Sequence, residues 1–196
     1  MKSHRYFILN KPMNMVSQFV SSHAVNLLTN LKFKFPPETH AIGRLDQNSE
    51  GLLLLTTNKK VTRLLFQGLV PHTRTYLVQV KNTVNAETIL KLANGIAISA
   101  PNGTQFITTP CMVKLVPKPA NLFEVGKPLH ENVKTSWLQI TLTEGKFHQV
   151  RKMVAGVNHK CIRLIRTEIE NIRIGNMQPG EVIEMDEPTF FSLLKL

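Results

Sequence analysis

Apolar and polar positions along the chain switch between two periods. Residues 5–9 (RYFIL) and 74–80 (RTYLVQV) read as strands, rich in aromatic and β-branched side chains. The run GLLLLTT, beginning at Gly51, is apolar throughout, the pattern of a short strand buried on both faces. Three stretches carry helical spacing. In residues 21–31 (SSHAVNLLTNL), Ala24, Val25, Leu27, Leu28 and Leu31 fall on one face behind a Ser21 or Ser22 cap. Residues 58–70 read as an Asn-capped helix with Val61, Leu64 and Leu65 inward, and NAETILKLANG as a helix opened by Asn85 and closed by Gly95.

Periodicity then fades. The proline-rich stretch 101–135 is too long for an ordinary connection and is expected to be a functional excursion that includes an irregular strand. Order returns with a strand over 136–142, a helix over 147–157 after the Gly145 turn, and closing strands at 161–166, 169–174 and 180–185. Strands and helices in this order do not form a βαβα repeat. The expected class is α+β with a mixed, mostly antiparallel sheet.

Composition narrows the function. At 42% hydrophobic and 19% charged, 196 residues suffice for one domain, or one domain of two lobes. The formal charge is +11, and +10 of it falls before residue 124. Such a regional excess points to a polyanion, nucleic acid before anionic membrane. Two cysteines, Cys111 and Cys161, show no short-range pairing, which fits a reducing, cytoplasmic location and excludes a Cys-rich zinc site. The apolar run near the start is too short for a signal peptide, and no run approaches membrane-spanning length. Few carboxylates before residue 124 argue against a two-metal nuclease, and no P-loop frame is present. The few aromatics argue against recognition by long stacking platforms.

Against this basic background one acid stands out. Asp46 follows Arg44 and lies between Gly43 and Gly51, at the mouth of the buried strand. By itself it reads equally as a loop ion pair or a turn cap. Three further stretches change the balance: RTYLV with Tyr76, EGKFHQVRKM with His148, Gln149, Arg151 and Lys152, and CIRLIR with Ile162 and Leu164.

Together with GRLDQNSEGLLLLTTN, and in this order, they resemble the pseudouridine synthases, in the branch that modifies ribosomal RNA. LNKPMNMVSQF and KTSWLQITL narrow the likeness to the E-type large-subunit enzymes. Many relatives carry an N-terminal S4-type RNA-binding domain; here the catalytic part is expected to begin with the first residues, without one. Arg74 also stands where lysine is frequent. The resemblance implies a single catalytic domain over 1–196 with two lobes around a catalytic cleft, acting as a monomer without cofactor or metal. It implies isomerisation of a flipped uridine in 23S rRNA. Asp46 is then the essential carboxylate, attacking C1′ or deprotonating C2′, with Arg151 as the cation that keeps it ionised. Tyr76 stacks on the uracil. Arg44, Arg74, His148, Gln149 and Lys152 contact RNA, and Ile162 and Leu164 line the pocket floor. Two other readings remain: the same chemistry on small-subunit rRNA or tRNA, or an inert RNA-binding or ribosome-assembly protein.

Overall fold

The computed structural model describes residues 3–68, 70–100, 103–124 and 132–196. Part of the expected excursion, 125–131, lies outside the described residues. The chain divides into two compact units: Met1–His72 together with Ile165–Leu196, and Thr73–Leu164.

In the first unit β1 (Tyr6–Lys11) and β3 (Glu50–Thr56) are buried along their whole length. They pair antiparallel, from Tyr6 opposite Thr56 to Lys11 opposite Gly51. The other edge of β1 carries β11 (Val182–Met185). The other edge of β3 is divided. β2 (His40–Ile42) takes its end, antiparallel, while the later part of β9 (Cys161–Ile169) takes its start, parallel, with Gly51 opposite Arg166. A short β10 (Ile172–Arg173) folds back on β9 through Glu170, whose φ is 49°.

Burial on both faces follows from the covering rings. Tyr6 meets Phe190 and Phe191 of the C-terminal helix α4 (Glu187–Leu194), capped by Asp186. Its neighbour Phe7, on the opposite face, meets Phe33 and Phe35.

Those two phenylalanines follow directly on residues 21–31, a stretch expected to be helical. Only a single 3₁₀ turn, Leu28–Asn30, forms there. The backbone groups are used elsewhere: Val16 N–H donates to the Asn26 carbonyl, and Leu28 N–H to that of Gln18. A segment committed to such tertiary pairing cannot close a helical ladder. The helix α1 forms over Lys60–Gln67, shorter than expected, with the Asn58 Oδ1 accepting the Lys60 N–H. The helix α4 had no counterpart in the sequence reading.

In the second unit β4 (Arg74–Lys81) pairs antiparallel with β8 (Thr135–Leu142) over eight positions, and β7 (Met112–Val116) lies on the far side of β8. A small hairpin, β5 (Ala97–Ser99) with β6 (Gln105–Ile107), forms separately. Val78, Val80, Leu138, Ile140 and Leu142 face α2 (Ala86–Asn94) and α3 (Gln149–Gly156), whose Leu92, Val150, Met153 and Val154 complete the core. Asn85 caps α2 as expected, its side chain accepting the Thr88 N–H at 2.8 Å. The single tryptophan, Trp137, is buried in β8 opposite Gln79 and Val116. Both units together bear out an α+β chain with mixed, mostly antiparallel pairing.

Gly51 fixes the start of β3. Its φ is +101°, and a Cβ there would land on the backbone carbonyl oxygen of Arg166. A side chain is excluded on both counts. Gly51→Ala is expected to destabilise the protein by at least about 2 kcal/mol. Urea unfolding followed by circular dichroism measures this, and a loss below half of that would show that β9 can move aside.

Candidate active site

The Asp46 carboxylate sits on a turn held at several points within the first unit. Gly43 opens the segment at φ +73°, where a Cβ would press on the Phe66 ring of α1. Gly51 closes it against β9. Between them the Ser49 N–H donates to the Asp46 carbonyl at 3.0 Å. The residue before Asp46 is pinned twice by one hydroxyl. Ser17 Oγ donates to the Leu45 carbonyl at 2.9 Å and accepts the Leu45 N–H at 3.0 Å. Ser17 and Leu45 are both buried. Asp46 is half-buried and Arg44 is exposed, so the turn presents the carboxylate while its neighbour points to solvent.

Beneath this turn lies a buried set of charges. Lys11 is 0% exposed, Glu50 is equally buried and Arg166 nearly so. The Lys11 ammonium donates to the Met15 carbonyl at 2.6 Å and to that of Pro12 at 2.8 Å. Burial pushes it down from 10.5 to about 8. The negative charges of Glu50 and Asp46 act in the opposite direction, and Arg166 adds to the lowering. Arg166 donates from Nε to the Leu52 carbonyl at 2.8 Å. Two cations and two carboxylates therefore interact around the end of β1, the set balanced in charge.

The remaining expected site residues lie in the second unit. Tyr76 is half-buried on β4, on the face of Val78 and Val80, and packs against the core that includes Leu164. Ile162 is half-buried. Arg74 is buried, with Nη1 3.5 Å from the Thr143 carbonyl. On α3, Arg151 donates to Cys161 Sγ at 3.6 Å. Burial pushes the Cys161 thiol up, and the Arg151 charge partly offsets this. Gln149 turns inward: its amide donates to Glu144 at 2.6 Å and accepts the Lys146 N–H at 2.9 Å. Lys152 donates to the Ser99 carbonyl at 2.5 Å. His148 precedes the helix in a left-handed conformation, φ 54°. The helix thus begins two residues later than expected. Among the described residues, no three His, Cys, Asp or Glu side chains gather as metal ligands, and no helix is long and apolar enough to cross a membrane.

The segments that carry these residues match a known family model. Residues 5–156 fit that of RNA pseudouridylate synthase, a span that includes Asp46, Tyr76 and Arg151. The chain belongs to this family. Ribosomal large subunit pseudouridine synthase E of Xanthomonas axonopodis pv. citri is 34% identical over 174 residues, covering 88% of this chain and 89% of that protein. The enzyme of the same name from Vibrio parahaemolyticus is 31% identical over 183 residues, covering 92% and 74%. Among solved structures, a pseudouridylate synthase superposes with a TM-score of 0.77 at 24% identity, over 98% of this chain and 75% of that one, a likeness of fold.

For a pseudouridine synthase, the sequence reading overlooked Lys11, Ser17, Glu50 and Arg166. Lys11 ends an apolar strand, where a lysine ordinarily reaches into water, and Ser17 is one serine among many. Glu50 carried a faint signal, as an acid directly ahead of a buried run.

Two outcomes follow from this geometry. Ser17→Ala leaves the buried Leu45 amide and carbonyl without that hydroxyl, so a stability loss of about 1–3 kcal/mol is expected, along with slower turnover by a loosened Asp46 turn. Urea unfolding and single-turnover rates measure the two, and a variant unchanged in both would remove Ser17 from the turn's support.

The second outcome concerns pH. Below about pH 8 the Lys11 ammonium is charged in folded and unfolded chains alike, and its burial cost is fully present. Between about 8 and 10.5 the folded chain releases the proton while the unfolded chain keeps it, so stability rises with pH. Against Lys11→Met, wild type should gain up to about 3 kcal/mol across that window. The difference between the two unfolding free energies, followed by circular dichroism from pH 7 to pH 10.5, gives the slope. A flat difference would show that the ammonium bears no burial cost.

Proposed function

We propose that this synthase isomerises a uridine of 23S ribosomal RNA to pseudouridine, with Asp46 as the catalytic carboxylate. The observation that carries the reading is the Asp46 turn, clamped by Ser17 and closed by two glycines, on a segment within the family match. The relatives named for the large ribosomal subunit support the choice of RNA. The basic excess supports a phosphate-rich partner.

In this reading the uridine leaves its stack to enter the site, at a cost of a few kcal/mol that phosphate contacts offset. Asp46 acts on the ribose, at C1′ as a nucleophile or at C2′ as a base. The bond from C1′ to uracil N1 breaks, the base turns, and C1′ joins C5. The C5 proton departs and N1 gains one, so substrate and product are isomers and no oxidant or energy source is consumed. Tyr76 stacks on the turning base. Arg151 supplies a positive charge to the reaction, and exposed Arg44 holds a phosphate or the space the base leaves.

Asp46→Asn keeps the shape and removes both charge and basicity. It is expected to abolish pseudouridine formation on a 23S rRNA transcript while leaving RNA affinity within about threefold, because phosphate contacts dominate binding. Mapping of pseudouridines in the transcript reads turnover, and filter binding reads affinity. Appreciable turnover by Asp46→Asn would overturn the assignment. Wild type that modifies small-subunit rRNA or tRNA, but not 23S, would overturn the target.

A further inference from the structure

The loop ahead of α3 displays a ring that the chemistry above does not use. Phe147 is 58% exposed, yet its ring is ordered against His148, with centroids 3.9 Å apart and planes 16° from parallel. Adjacent residues stack this way because His148 takes a left-handed backbone, φ 54° and ψ 29°, which non-glycine residues adopt at a cost and which collects at functional positions. The Lys152 ammonium lies 5.2 Å from the Phe147 centroid. Lys146, next in sequence, stands 4.4 Å over the Phe106 ring. The acid of this loop, Glu144, accepts from Gln149 and from the Thr109 N–H.

We propose that the Phe147–His148 pair is a stacking site for one unpaired RNA base, with Lys146 and Lys152 taking the flanking phosphates. The inference rests on the RNA substrate argued above and assigns a contact to a residue outside the uridine pocket. An exposed ring with the Lys152 ammonium 5.2 Å from its centroid, on a loop that also carries Lys146, matches a nucleotide in both its parts. Neither a fully paired helix, whose bases are hidden, nor a purely apolar peptide uses both. Phe147 would therefore favour substrates with a splayed base near the target and so contribute to the choice of RNA.

The test compares wild type, Phe147→Leu and Phe147→Tyr in filter binding to a short single-stranded RNA and to a duplex RNA of the same length, with circular dichroism to verify folding. Leucine keeps the apolar bulk and loses the π-face; tyrosine keeps both. Phe147→Leu is expected to weaken single-strand binding about 5- to 100-fold, to leave duplex binding unchanged, and to be matched by no loss in Phe147→Tyr. Single-strand affinity equal to wild type in Phe147→Leu would overturn the proposal. So would equal weakening on both RNAs, or a wild type that does not hold the single strand. These readouts need no turnover. A wild type that makes no pseudouridine but shows the expected binding pattern overturns the proposed function alone, whereas active Phe147→Leu with undiminished binding overturns the stacking site alone.

Discussion

A lysine with no access to water governs the architecture of the first unit. Lys11 has carried its charge to the end of a fully buried strand, and such a charge is tolerated only where opposite charges and carbonyl oxygens surround it. Its hydrogen bonds to Pro12 and Met15 set the bend that follows β1. That bend delivers Ser17 to the Leu45 peptide, and through it the backbone of Asp46 is held. The burial of Glu50 becomes intelligible on the same grounds, as an anion that offsets two cations rather than as a group facing substrate. The carboxylate proposed to act on ribose has to meet its substrate in a fixed geometry, and the Ser17 hydroxyl fixes the peptide directly ahead of it.

Much of this was legible in the sequence, and the misses have physical causes. Asp46 could be found because it stands nearly alone among basic residues and sits between two glycines, both at positive φ and one, Gly51, with no room for a side chain. The β3 strand was visible as four leucines, and α2 by its cap. Residues 21–31 have helical spacing, yet the Asn26 carbonyl and the Leu28 N–H are drawn into pairing with Val16 and Gln18, a tertiary demand that no local pattern records. Phe33 and Phe35, two apart, already hinted at extended chain. The α4 helix is apolar on the face that meets Tyr6, but eight residues at the end of the chain give periodicity little room. Lys11 and Ser17 were illegible because the charges around Lys11 and the peptide that Ser17 holds lie 28 to 155 positions away.

The second unit shows a different economy. Its core is a three-strand ladder with two helices, and the loop before α3 is organised by side chains rather than by regular structure. Gln149 ties Glu144 to Lys146, an interaction that consumes a residue expected to meet RNA and in exchange stiffens the turn that displays Phe147 and His148. Arg151 lies two residues further along the same helix, beside Cys161. Polar residues in this motif thus divide between those that shape the loop and those that it presents.

Trp137 gives the molecule an uneven optical signature. As the single tryptophan, buried in β8, it reports on the unit formed by Thr73–Leu164. The buried charges around Lys11 and the Asp46 turn belong to the other unit, where the intrinsic fluorophores are phenylalanines and Tyr6. Emission from Trp137 reads the surroundings of β8, so the first unit calls for a reporter of its own, such as the tyrosine signal of Tyr6.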